Sequence, residues 1–253
     1  MCGNCGCAPQ HQHTGPSTAD YVIDPVLEVE VLEDILARND QTAAAVREKL
    51  TEQGTLGLNL MSSPGSGKTR LLEETAIRLG AAKMAVIEGD LETENDADRI
   101  RAHGVQAYQI TTGMACHLEA GMVAKGLDHL QWQGADLLFI ENVGNLICPA
   151  TFDLGQHLNV VLLSTTEGAD KAEKYPVMFQ SADCVLITKS DLLPVLDDFD
   201  MDTARRCIRR INPKTEILTL SSKTGEGVES WLDWLGTKLT VLRTEGQVDH
   251  ARL

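Results

Sequence analysis

The stretch Ser62-Ser63-Pro64-Gly65-Ser66-Gly67-Lys68-Thr69 restricts the fold of this chain more than any other. An apolar run, Leu56 to Met61, leads into it, and a helix-forming segment, Arg70 to Leu79, follows. Strand, Gly-rich loop, Gly-Lys-Thr and helix is the setting in which a P-loop cradles phosphate. Gly65 and Gly67, on either side of Ser66, let successive backbone N–H groups face one anion, and a helix starting near Thr69 adds its positive end. There Lys68 would reach the β- and γ-phosphates and the Thr69 hydroxyl would ligate magnesium. Ser62 stands where the first Gly of G-x-x-x-x-G-K-[ST] belongs.

A chain of 253 residues, 43% hydrophobic, can bury the core that such a sheet needs. Its formal charge of −15 argues against nucleic acid and against an anionic membrane face as partners. Apolar runs such as Val160 to Leu163 are too short to span a bilayer, and no basic segment followed by an apolar stretch opens the chain. The expected location is cytoplasmic, where the seven cysteines act as thiols or metal ligands rather than as a disulfide framework.

Cys2, Cys5 and Cys7 crowd the first residues with glycines between them, and nothing nearby could bury them. Three thiolates on a pliable backbone read as a metal hook, although the motif alone names no metal. His11 and His13 follow, either as further ligands or as solvated residues. Residues 1–25 are expected to be a flexible metal-binding tail and linker. Residues 26–253 are expected to form one doubly wound α/β domain, with a helical lead-in that Asn39-Asp40 could divide and a mostly parallel sheet of about seven strands.

The strand ends carry the remaining chemistry. Asp90 closes a second strand, expected beside the P-loop strand, where it could hold magnesium directly or through water. The other carboxylates of residues 88–98 read as a solvated loop. Cys116 and His117 fall where a helix is expected to begin, a place that favours a thiolate, but adjacent helical side chains diverge, so the pair by itself reads as a core Cys beside a surface His. A fourth strand ends in Glu141-Asn142-Val143-Gly144-Asn145, which has the form of a nucleotide switch: Glu141 binds or orients magnesium and the Gly144 amide meets the γ-phosphate. Cys148 lies just beyond and offers Cys116 and His117 a third ligand. Thr188-Lys189-Ser190-Asp191 matches the guanine-reading N-K-x-D with Thr for Asn. Asp191 would accept both guanine N1–H and the 2-amino group, with the Lys189 stem over the base. Ser222-Lys223 would complete the base site through the Ser222 amide. Trp231 and Trp234 read as core, and Cys184 and Cys207 as inert buried thiols.

Taken together, the Cys2–Cys7 hook, Ser63 to Thr69, Cys116-His117-Leu118-Glu119-Ala120, Glu141 to Pro149 and Ser222 to Gly227 resemble the HypB family, GTPases that assist nickel insertion into [NiFe]-hydrogenase. The resemblance covers the chain beyond the linker. It implies GTP hydrolysis, expected to be slow because no Gln follows Gly144 and no arginine finger lies in the switch segments, and a homodimer formed on GTP binding. It also implies nickel at the tail, and a second site at Cys116, His117 and Cys148 for nickel, with zinc a further candidate. The implied partners are a HypA-type nickel chaperone and a hydrogenase large-subunit precursor. Two other classes use part of the pattern: a metal store with a vestigial nucleotide site, and an ATP-using P-loop kinase of metabolites, which has no need of Thr188–Asp191 or Ser221–Lys223.

The tail supplies three sulfurs, whereas nickel(II) with thiolate and nitrogen donors favours four ligands in a plane. The α-amino group is the nearest fourth donor, because removal of Met1 places it on Cys2; a histidine must close a longer loop. An amine of pKa about 7.7–8.0 loses its proton on binding, so affinity climbs with pH near neutrality. Acetylating the terminus of a peptide of residues 1–15 is expected to weaken nickel binding sharply, while alanine at both His11 and His13 is not. Equal affinity of the blocked and free peptides would make a histidine the fourth ligand.

Overall fold

The computed structural model of the chain describes residues 25–90, 95–113 and 115–250. The Cys2, Cys5 and Cys7 hook, His11, His13 and residues 8–24 of the expected linker lie outside them. The chain divides into two units, residues 1–35 and 36–253. Helix α1 spans Pro25–Glu52.

The order that follows is β1 (Leu56–Ser62), α2 (Lys68–Leu79), β2 (Met84–Asp90), α3 (Asn95–Arg101), β3 (Gln106–Thr111), α4 (Ala120–His129), β4 (Leu137–Glu141), β5 (Leu158–Ser164), α5 (Lys171–Lys174), α6 (Pro176–Gln180), β6 (Cys184–Thr188), α7 (Met201–Ile211), β7 (Glu216–Thr219) and α8 (Val228–His250). The seven strands form one sheet in the order β3-β2-β4-β1-β5-β6-β7, and every pairing is parallel. Central strands β1, β4 and β6 are buried along their whole length, which is why they read as unbroken apolar runs rather than alternating ones.

On one face of the sheet, Leu56, Leu58 and Leu60 of β1 pack with Leu71, Leu72 and Ala76 of α2 and with Trp231, Trp234 and Leu235 of α8. The other face carries two apolar clusters. One joins Val46 and Leu50 of α1 to Val123 and Leu127 of α4; the other joins Met178 and Phe179 of α6 to Ala204 and Ile208 of α7. A column of amides also crosses the buried sheet. Asn142 Nδ2 donates to Asn59 Oδ1 at 3.2 Å, Asn59 Nδ2 to Asn159 Oδ1 at 3.2 Å, and Gln156 Nε2 to the same Oδ1 at 3.0 Å.

Asn39 does not divide α1. Its Oδ1 accepts the Ala120 N–H at 2.9 Å, capping α4 from another element, and its Nδ2 donates to the Asp153 carbonyl at 2.8 Å. An Asn that would break an isolated helix is held by long-range bonds. Trp231 and Trp234 lie in the core as expected, stacked with ring centroids 5.4 Å apart, and Trp231 Nε1 donates to Thr75 Oγ1 of the P-loop helix at 3.1 Å. Trp231→Ala is expected to cost roughly 3–5 kcal/mol in urea unfolding. Trp231→Phe, which keeps most of the ring, should cost distinctly less.

Candidate nucleotide and metal sites

β1 delivers Ser62 and α2 begins at Lys68, with the loop between them turned by Gly65 and Gly67 at φ of 74° and 99°. L side chains avoid that region. No side chain caps the N-terminus of α2 among the described residues, so its first-turn amides are open to an anion. Ser62, the departure from the motif, accepts from Ser66 Oγ at 2.5 Å and from Lys68 Nζ at 3.1 Å, and so braces the loop with a hydroxyl where the pattern has no side chain.

Beside this cradle lies a cavity of ≈ 350 Å³ that also takes in Glu88, Asp90, Asp96, Arg99 and residues 141–144. Thr69 Oγ1 donates to Glu141 Oε1 at 2.9 Å. β2 pairs with β4 in a register that sets Glu88 directly opposite Glu141, and Asp96 of α3 brings its carboxylate within 4.8 Å of both. Burial, with the charges of Glu141 and Asp96 beside it, pushes the Glu88 carboxyl up to about 10. Burial also raises Glu141, against the pull of Lys68 and Thr69. Like charges at such separations repel by roughly 3–4 kcal/mol at an effective dielectric of about 20, so a proton or a cation belongs between them. Glu73 of α2 differs: burial would raise it, but bonds from Arg99 and Arg70 hold it below the usual carboxylate range. Arg99 spans Glu73 at 2.9 and 3.0 Å and Asp96 at 2.8 Å.

Two expectations are corrected here. Strand β2 is not beside the P-loop strand; β4 lies between them, so Asp90 faces the cavity from one strand farther out. Nor are the acids of residues 88–98 all solvated, since Glu88 is buried and Asp96 is bound to Arg99. Gly144 lies against the P-loop for a steric reason: a Cβ there would meet Pro64 Cα at 2.9 Å, so only glycine lets the loop after β4 lie on the P-loop.

On the other side of Gly67 and Arg70 a second cavity, ≈ 280 Å³, is lined by Thr188, Lys189, Asp191, Leu192 and residues 221–223. Thr188 Oγ1 donates to the Ser66 carbonyl at 2.8 Å, so the substituted position ties the Thr188–Asp191 segment to the P-loop. Lys189 is the one described non-glycine residue with positive φ, at 58°, a strained backbone of the kind kept at binding sites. Ser221 Oγ donates to Asp191 Oδ1 at 2.6 Å and fixes the carboxylate. A larger hollow, ≈ 670 Å³ between α1 and α8, offers no comparable set: its Arg47 and Arg243 are paired with Asp153 and Asp136.

Cys116 and His117 lie in a loop, because α4 begins only at Ala120. The helical geometry that would spread adjacent side chains therefore does not apply to them. Cys148 opens a short 3-10 turn, and its Sγ is 2.9 Å from Cys116 Sγ. The hydrogen bond shared with Cys116, with burial, holds the Cys148 thiol above its ordinary pKa. The ligand atoms of Cys116, His117 and Cys148 all lie within 4.8 Å of one another. The His117 ring stacks on Phe152 at 4.1 Å, and its buried Nε2 has no hydrogen-bond partner among the described residues. Two thiols and an imidazole suit a soft or borderline transition metal. Cys184 and Cys207 are buried elsewhere, and burial raises both thiols.

Residues 57–219 match the CobW/HypB/UreG nucleotide-binding domain family. The hydrogenase maturation factor HypB of Escherichia coli K12 is 50% identical over 214 residues, covering 84% of this chain and 73% of that protein. The chain belongs to the HypB family. Its fold is also that of HypB from Helicobacter pylori, solved in complex with nickel, with a TM-score of 0.76 and 45% identity over 80% of this chain and 95% of that one. The curated H. pylori protein, 46% identical over 82% of this chain and 87% of its own length, is named a hydrogenase/urease maturation factor. The present HypB-family chain is thus a P-loop GTPase. Among its described residues no helix is long and apolar enough to cross a membrane.

In this HypB-family chain the places of Glu88, Asp96 and Arg99 at the cavity were missed from sequence. Glu88 and Asp96 stood in an acidic run with no visible partner, and only strand register brings Glu88 to Glu141. Thr188→Val removes a buried hydrogen bond and leaves the Ser66 carbonyl unpaired. It is expected to weaken GTP binding about tenfold, read by titration with a fluorescent analogue. Gly144→Ala should keep the fold by circular dichroism but lower the GTPase rate, because the loop after β4 must lift off Pro64.

Proposed function

We propose that this chain is a GTP-hydrolysing nickel metallochaperone acting in hydrogenase maturation, with residues 1–25 as a metal-binding tail and 26–253 as the GTPase domain. Its implied companions are a second copy on GTP binding, a HypA-type chaperone and the hydrogenase large-subunit precursor. Lys68 and the amides of Gly65 to Thr69 hold the β- and γ-phosphates; Lys189, Asp191, Ser222 and Lys223 hold guanine. Thr69, Asp90 and Glu141 hold magnesium, which when bound neutralises charge on the phosphates. Nickel is the cargo at Cys2, Cys5 and Cys7 and at Cys116, His117 and Cys148, where zinc is an alternative occupant.

One observation carries this reading: a single loop reaches both sites. It begins at Glu141, bonded to Thr69, passes Gly144 against Pro64, and ends at Cys148 beside Cys116. Asn142 Oδ1 accepts the Leu118 N–H at 3.4 Å and Asn145 Nδ2 donates to the Cys116 carbonyl at 3.5 Å, long bonds that a moving loop would break first. A γ-phosphate drawing in Gly144 then alters the geometry of the metal ligands, which would hold nickel in one nucleotide state and release it in the other.

Isothermal titration of nickel into the GDP and GTP-analogue forms tests it. The two affinities must differ, and nickel must change nucleotide affinity by the same factor. Equal affinities would leave the metal cluster unconnected to the GTPase. No Gln follows Gly144, and Arg70 and Arg99 are held by Glu73, so hydrolysis by the isolated protein should fall well below about 10 per second. Asp191→Asn is expected to move preference from guanine to xanthine nucleotides, measured by competition.

A further inference from the structure

The most demanding feature left over is the facing pair Glu88 and Glu141. They are register partners on adjacent parallel strands, and each is 3% exposed. No described donor reaches Glu88 Oε2 or Glu141 Oε2. Like groups directly opposed across strands are unfavourable, and buried carboxylates need partners. Asp96 closes the third side with its carboxylate held in place by Arg99. Thr69 spends its hydrogen on Glu141 Oε1, which leaves its oxygen lone pairs available.

We propose that Glu88, Asp96 and Glu141 form a hard divalent-cation site that fills before any nucleotide arrives, so that the resting protein already carries magnesium or manganese. An all-oxygen set takes these ions, whereas Cys116, His117 and Cys148 take softer ones. In the usual P-loop arrangement one or two carboxylates need the substrate's phosphates to complete the shell. Three carboxylates here relax that need and let the ion await the phosphates. The site is the resting position of the ion that Thr69, Asp90 and Glu141 are proposed to hold once nucleotide binds, and shares Glu141 and the cavity with that set, but its occupancy does not rest on GTP being the substrate.

The test is manganese(II) uptake by the full chain stripped of nucleotide and metal, with free manganese read by electron paramagnetic resonance. Wild type is expected to take up one ion per chain without nucleotide. Glu88→Gln and, independently, Asp96→Asn should each weaken uptake about tenfold or more, while Cys148→Ala should not. Lys68→Ala, which should lose GTP binding, is expected to keep the ion. Uptake only after GDP is added, undiminished uptake by both Glu88→Gln and Asp96→Asn, or loss of the ion in Lys68→Ala would overturn the proposal and leave the GTP reading standing. Uptake by a wild type that failed to bind GTP would uphold the cation site and sink the GTP reading instead.

Discussion

Because every pairing in the sheet is parallel, all seven strands end at the same edge, and each must be followed by a return path before the next begins. The P-loop after β1, Glu88 and Asp90 on β2, Glu141 on β4, Thr188 on β6 and Ser221 after β7 thereby share one rim. Nothing local in the chain brings Ser66 to Thr188 or Thr69 to Glu141; strand direction does. The contacts that then form are short and specific, and each links a residue of the cradle to the end of another strand.

The rim holds more buried acid than a stable core prefers, and its two kinds of glutamate respond to pH in opposite senses. Glu73, held by arginines below its ordinary value, adds stability above that value and loses it as pH falls through the folded pKa. Glu88, raised by burial and neighbouring charge, withdraws stability as pH rises from the ordinary carboxylate range toward about 10. On the reading proposed above, a bound cation rather than the fold relieves this tension.

Much of this was legible in the chain. The P-loop, the Glu141–Gly144 loop and the Thr188–Asp191 string are contiguous, so their residues could be named without knowing the sheet. Strand order and register could not be read, and with them went the neighbour of Asp90 and the partner of Glu88. The start of α4 was placed too early because Cys116 to Glu119 follow a strand and precede a good apolar helix pattern, yet the N–H that begins the helix is capped by Asn39, eighty-one positions away. Asn39 misled for the same reason: its role lies in contacts with Ala120 and Asp153 rather than in its own helix. Local pattern carries type; long-range bonds set the boundary.

The amide column from Asn142 through Asn59 and Asn159 to Gln156 has a bearing on how such a chain can vary. Each member gives and receives inside the protein, so exchanging one for an apolar residue of similar size strands its neighbours' donors and acceptors. Exchanging them all together removes that mismatch within the column, although the Leu118, Val143 and Leu154 N–H groups and the Ser181 carbonyl still lose a partner. Tolerance at these four positions is therefore a property of the set, with strong coupling between substitutions that are harmless or harmful only in company. Because Asn142 lines the phosphate cavity and accepts the Leu118 N–H, a drift deeper in this buried column would surface as altered behaviour at the rim.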